Sequence, residues 1–248
     1  MARGLCAVAV MAKAPRPGHS KTRLVPPLDH AGAAALSAAF LRDVTENIAR
    51  AARDAPIAGC VAYAPVGDEA LFHRHVISGT NFLLADGSSP MPERVRGLGR
   101  SLLHALQAAL ADHGSACLLN SDSPTLPTVL LCRAADALAA PGDRVVLGPA
   151  EDGGYYLIGA KAAHTHLFED IDWSTERVAA QTRERARSLG LEVVELPPWY
   201  DVDDLASLSR LLSELDRPPS EGLAPYPAPA TAECARRLRL AVLLRADA

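Results

Sequence analysis

Short apolar runs alternate with longer stretches of helical periodicity almost from end to end of this chain, and few folds satisfy that pattern. Leu5 to Ala12, Ile57 to Ala64, Asn81 to Ala85, Ala116 to Asn120, Arg144 to Leu147, Tyr155 to Ile158 and Leu191 to Leu196 read as strands. Between them Asp29 to Ala52, Asp68 to His75, Leu98 to Asp112, Pro127 to Ala139, Ser174 to Leu189 and Asp203 to Leu215 read as helices, with Asp29 as an N-cap and Pro127 in a first turn. Apolar strands separated by helices must be covered on both faces, which predicts an α/β domain with a mostly parallel, Rossmann-like sheet. With 248 residues, 49% of them hydrophobic, the chain suffices for one such domain, expected over 1–215. Residues 216–230 are proline-rich and read as a linker. Within 231–248, Thr231 to Arg245 reads as one amphipathic helix that either packs back or joins a partner subunit in a homodimer, with Arg236, Arg237 and Arg239 on its polar side.

The first strand opens into a loop carrying Lys13, Arg16, Lys21 and Arg23 within eleven positions, in a protein of formal net charge −4. Pro15, Pro17 and Gly18 keep that loop irregular. In open α/β sheets ligands lie outside the carboxyl ends of strands, so a basic loop here suits a di- or triphosphate; a merely solvated basic face is the alternative. A P-loop is excluded, because His19 and Ser20 stand where it needs a glycine before the Lys21-Thr22 pair. The three spaced glycines of a dinucleotide fingerprint and the G-x-S-x-G elbow of serine hydrolases are also missing.

Asp122, in Ser121-Asp122-Ser123-Pro124, follows the strand ending at Asn120 and should lie at the same sheet edge as the basic loop. A carboxylate beside phosphates repels them unless a cation intervenes, and Mg2+ (or Mn2+) takes one or two carboxylates plus ligand phosphates. The alternative is a cap or turn residue. Later, in Asp201-Val202-Asp203-Asp204, Asp201 and Asp203 alternate in an extended segment and could complete a metal clamp with Asp122, while Asp203 or Asp204 could cap the following helix. Between these lies Glu151-Asp152-Gly153-Gly154, where the glycines allow close backbone approach and the acids offer a base or a hydroxyl-binding group; the same residues would also make a hairpin turn. Trp173, Ser174 and Thr175 combine a helix cap with an indole that either packs or meets an acceptor.

Other classes fall away. Five cysteines without a C-x-x-C indicate neither a disulfide framework nor a zinc site, and Cys6, Cys60 and Cys117 sit in strand-like runs as small core residues. The pairs His73/His75 and His164/His166 fall in polar segments and read as solvated. Mild acidity with 4% aromatics argues against a nucleic-acid partner. No apolar stretch approaches a membrane span and no leader is visible, so a cytoplasmic protein is expected.

Together, Ala12-Lys13-Ala14-Pro15-Arg16-Pro17-Gly18 with Lys21-Thr22-Arg23-Leu24, Arg96-Gly97-Leu98-Gly99-Arg100, Ser121 to Pro124, Gly148 to Gly159, Trp173 to Thr175 and Asp201 to Asp203 resemble the bacterial rSAM/selenodomain-associated transferase family, also described as arsenosugar-type glycosyltransferases, in the nucleotide-diphospho-sugar transferase superfamily. The spacing is also similar to that of phospholactate guanylyltransferases. These resemblances imply a GT-A fold over residues 5–215, a nucleoside triphosphate or nucleotide sugar as ligand, a small acceptor, and magnesium. Lys13, Arg16, Lys21 and Arg23, with Gly97 and Gly99, are then expected on the phosphates. Asp122, Asp201 and Asp203 are expected on metal, and Glu151, Asp152, Gly153, Gly154, Trp173, Ser174 and Thr175 on the second substrate, with Lys21, Asp122, Asp152 and Asp203 catalytic. Four cations exceed the need of a metal-bound diphosphate, which favours nucleotidyl transfer; glycosyl transfer and a non-catalytic nucleotide-binding module are the alternatives.

Overall fold

The computed structural model describes residues 4–246. The strands are β1 (Cys6–Lys13), β2 (Ile57–Ala64), β3 (Asn81–Leu84), β4 (Ser115–Leu119), β5 (Arg144–Pro149), β6 (Tyr155–Ala160) and β7 (Glu192–Glu195). The helices are α1 (His30–Ala51), α2 (Leu98–Asp112), α3 (Thr128–Ala139), α4 (Val178–Ser188), α5 (Leu205–Asp216), α6 (Pro229–Arg237) and α7 (Leu240–Ala246). The strands form one sheet in the order β3-β2-β1-β4-β6-β5-β7. Only β6 runs against its neighbours, because β5 and β6 form a hairpin that inserts β6 between β4 and β5.

The pleat of β1 explains why the sheet is covered twice. Cys6, Val8 and Val10 point into one core while Ala7 and Ala9 point into another, and on β4 Cys117 and Leu119 part from Ala116 and Leu118 in the same way. The larger core is filled from α1, α3, α5 and α6, the smaller mainly from α2 and α4. Fully buried residues such as Phe40, Leu36, Leu103 and Tyr156 anchor them, at about 1.5–3 kcal/mol for each large apolar side chain.

From β1 the chain steps outward through β2 and β3, then returns to the opposite side of β1 as β4. The strand order thus reverses between β1 and β4, and a crevice must open beyond their carboxyl ends. Both the basic loop and Asp122 follow strands that end there.

Three segments differ from the sequence reading. The helix expected from Ser174 begins only at Val178, because Ser174 is left-handed at φ 63° and Thr175 closes a local turn by donating to the Asp172 carbonyl at 2.7 Å. The stretch 68–75 holds a single 3-10 turn, Glu69–Leu71, with Phe72 buried after it. The helix expected over 231–245 is two helices, since Arg239 at φ 53° breaks the run.

The segment after α5 is tied into the domain. Tyr226 donates its backbone N–H to the Thr125 carbonyl at 2.9 Å, and Cys234, Ala235 and Leu240 join the larger core. Asp43, fully buried on α1, accepts from the backbone N–H groups of Ala230 at 3.0 Å and Thr231 at 2.6 Å, a carboxylate set against the amino end of α6. Burial pushes its carboxyl above the ordinary range, against the opposing pull of those N–H groups. Asp43→Ala leaves both donors without their buried partner and should cost about 2–4 kcal/mol, read as a lowered midpoint in denaturant unfolding.

Candidate active site

A cavity of about 430 Å³ lies in the crevice. The end of β1 supplies Met11, Ala12 and Lys13; the basic loop supplies Lys21, Thr22 and Arg23; β2 supplies Ala62, Tyr63 and Ala64; and Ala85, Leu98 and Ser101 close one side. Ser121, Asp122 and Asp203 face them. Ala62, Tyr63 and Ala64 of β2 and Ala85 just after β3 were not singled out by the sequence reading. Their signal was available, since those strands run parallel to β1 and finish at the same edge.

Lys21 lies at the centre. Its Nζ is 2.7 Å from Asp122 Oδ1 and 2.9 Å from Asp203 Oδ1, and it donates to the Val202 carbonyl at 2.6 Å. The side chain is only 6% exposed, whereas those of Asp122 and Asp203 are 34% and 44% exposed. Burial alone would lower the lysine's pKa, but the two carboxylates override it and hold it above its ordinary value. Further bonds stitch the same loops together: Val202 donates its N–H to the Asp122 carbonyl at 2.9 Å, and Ser123 Oγ donates to the Tyr200 carbonyl at 2.8 Å.

The other expected site residues divide. Lys13 and Arg23 reach the cavity, but Arg16 turns away to pair with Asp68 at 2.5 Å. Asp204, not Asp203, caps α5, accepting from Ser207 N–H at 2.8 Å, which frees the Asp203 carboxylate for the cavity. Asp201 does not line the cavity; burial first, then Asp203, Asp152 and Asp122, push its carboxyl up to about 6. Among the described residues no three His, Cys, Asp or Glu side chains gather as a metal-ligand group. The histidine pairs separate onto different partners, His164 onto Asp143 at 2.8 Å and His166 onto Glu169 at 2.9 Å.

The hairpin turn at 151–154 and the segment at 173–175 stand outside the cavity. Glu151 is held by Arg210 at 2.6 Å, and Asp152 Oδ1 accepts from Gly154 N–H at 2.9 Å. Gly153 has φ +91°, and a Cβ there would fall 2.2 Å from the Glu176 carbonyl oxygen, so only glycine lets this turn pass beneath the start of α4. Gly97 and Gly99 face an indole: a Cβ on Gly99 would come within 2.9 Å of Trp173 Cζ2. Trp173 packs edge-on to Tyr155 at 6.5 Å, which is a core contact.

No helix among the described residues is long and apolar enough to cross a membrane. The sequence model of DUF2064, an uncharacterized protein conserved in bacteria, matches residues 47–175. No curated protein matches the chain. Among solved structures, a proposed nucleotide-diphospho-sugar transferase from Desulfovibrio desulfuricans G20 is similar at 28% identity, TM-score 0.79, over 97% of this chain and 96% of that one. CMP:2-keto-3-deoxy-manno-octonic acid synthetase, complexed with CTP, is similar at 15% identity, TM-score 0.52, over 86% of this chain and 99% of that one, which shows a shared fold. The fold is the one seen in the proposed Desulfovibrio nucleotide-diphospho-sugar transferase and shared by the synthetase.

The raised Asp201 pKa has a measurable consequence. A carboxyl whose folded pKa exceeds its unfolded value contributes stability while protonated and loses it as pH rises through the folded pKa. With EDTA present, Asp201→Asn should therefore melt close to the wild type at pH 4 and above it at pH 7.5, the gap opening between about pH 4 and pH 6.

Proposed function

The chain belongs to the DUF2064 family of uncharacterized proteins conserved in bacteria, and we propose that this member is a metal-dependent nucleotidyltransferase that joins a nucleoside monophosphate from a nucleoside triphosphate to a small phosphate or phosphonate acceptor. The observation that carries this reading is the pairing, across one crevice, of a basic loop with two half-exposed carboxylates on separate loops. Lys13 and Arg23 have no ion-pair partner among the described residues and line the cavity, where they can neutralise a departing pyrophosphate. Met11, Ala12, Ala62, Ala64 and Leu98 offer an apolar wall for a base and sugar.

Asp122 and Asp203 suit a hard divalent cation. Lys21 engages one oxygen of each, and the exposure of both side chains leaves carboxylate surface toward the cavity. Bound Mg2+ or Mn2+ would polarise the α-phosphate. An acceptor phosphate oxygen then forms the new bond to that phosphorus as the bond to the pyrophosphate oxygen breaks. An ionised acceptor needs no general base, consistent with Glu151 being tied to Arg210 and Asp152 standing outside the cavity.

Glycosyl transfer from a nucleotide sugar is the second reading. The name given to the Desulfovibrio protein favours it, as does the diversion of Arg16 to Asp68, which leaves fewer cations for a third phosphate.

Thermal shift with Mg2+ separates the two. At a hundredfold excess over its dissociation constant, a ligand stabilises the folded state by about 2.7 kcal/mol, a rise of several degrees in Tm. Some nucleoside triphosphate should exceed every nucleotide sugar; Lys13→Ala and Arg23→Ala should remove most of the gain, and Arg16→Ala little of it. Response to a nucleotide sugar alone would replace nucleotidyl with glycosyl transfer. Asp122→Asn should leave the Tm without ligand within a few degrees while abolishing pyrophosphate release.

A further inference from the structure

An ammonium has three N–H donors, and those of Lys21 match its three partners: Asp122 Oδ1, Asp203 Oδ1 and the Val202 carbonyl. The residue is fixed at both ends, with its backbone left-handed at φ 50° and its Nζ 5.4 Å from the Phe40 ring centre. A lysine so engaged cannot donate to a phosphate without giving up one of these bonds. A divalent cation on Asp122 and Asp203, meanwhile, would bind carboxylates whose Oδ1 atoms already lie within 3 Å of a full positive charge, so the ammonium opposes it even at the oxygens left free.

We propose that Lys21 is the built-in counterion of the Asp122–Asp203 pair and the direct competitor of the divalent cation there, so that metal enters with the nucleotide and not before it. This rests on the metal-and-nucleotide reading above. The ammonium lowers the affinity of the empty carboxylate pair for a free ion. Phosphates entering beside Lys13 and Arg23 offer Lys21 replacement acceptors, and its departure leaves both carboxylates to the metal. Lys21 therefore serves as the placeholder of the free enzyme and becomes a phosphate ligand only when nucleotide and metal arrive together.

Mn2+ alone is the probe, with no nucleotide present. Electron paramagnetic resonance of free Mn2+ during titration gives its affinity for the full-length wild type and for Lys21→Met, which keeps a long side chain without the charge. The variant should bind Mn2+ tighter by about tenfold or more, and Asp122→Asn in the same background should abolish that gain. A second measurement needs no variant: the acylation rate of Lys21 by an N-hydroxysuccinimide ester, read by peptide mass spectrometry on the wild type, should rise severalfold once Mn2+ is raised to the high concentrations at which the titration shows the wild-type site filled. Equal or weaker Mn2+ binding by Lys21→Met, absence of binding by both proteins, or an acylation rate indifferent to Mn2+ would each overturn the proposal. Failure of nucleotides to bind would leave these metal-only results unchanged, so the two readings fail separately.

Discussion

The Lys21 ammonium, shared between Asp122 and Asp203, is the contact on which the site depends. It joins three segments that no regular element connects: the loop after β1, the loop after β4 and the extended stretch before α5. Removing one partner of a fully buried ion pair costs about 3–5 kcal/mol, but Asp122 and Asp203 are a third or more exposed and Lys21 has two of them, so losing one carboxylate costs far less. Here the cluster is buried only on the lysine side. The same three groups therefore fix the loops and keep their acidic faces turned to solvent, where a ligand can reach them.

Around that cluster the fold supplies position more than chemistry. The reversal of strand order at β1 and β4 opens the crevice, and Ala62 and Ala64 of β2 with Ala85 just after β3 leave room in it. The β5–β6 hairpin occupies one flank, with its turn locked under α4 by Gly153 and latched to α5 by Glu151 and Arg210. That latch is a structural use of residues whose composition suggests catalysis. The stacking of Arg210 on the Tyr200 ring, 3.9 Å from its centre, adds to the rigidity of the same flank.

What could be read from the sequence follows the range of the interaction involved. The bounds of β2 and α2 were legible to the residue, because an apolar run between turn residues and a 3.6-residue periodicity are local signals. Strand-end logic put Asp122 at the edge of the basic loop, and alternation in an extended segment suggested Asp203 beside it, whereas the lysine's place as the carboxylates' counterion was not read from the sequence. Arg16 was placed on phosphates by its neighbours in sequence, while its real partner, Asp68, arrives on another loop. Gly97 and Gly99 look like backbone that approaches a ligand, but the approaching group is the indole of Trp173. Ser174 has a helix-capping side chain, but the chain turns left-handed there and closes a local turn through Thr175 and Asp172 before α4 begins at Val178. In each of these cases the residue type is informative and the partner is chosen by tertiary structure.

The separation between Lys21 and Asp203, 182 residues along the chain, also bears on how the protein acquires its site. A contact of such long range must offset the entropy of closing a long loop, and it holds only while the elements that position both ends are intact. The crevice is therefore not a local structure that survives partial unfolding. An assay of ligand capture on this protein therefore reports at once on the loop after the first strand, the loop after the fourth and the stretch before the fifth helix, because that one ammonium ties them together.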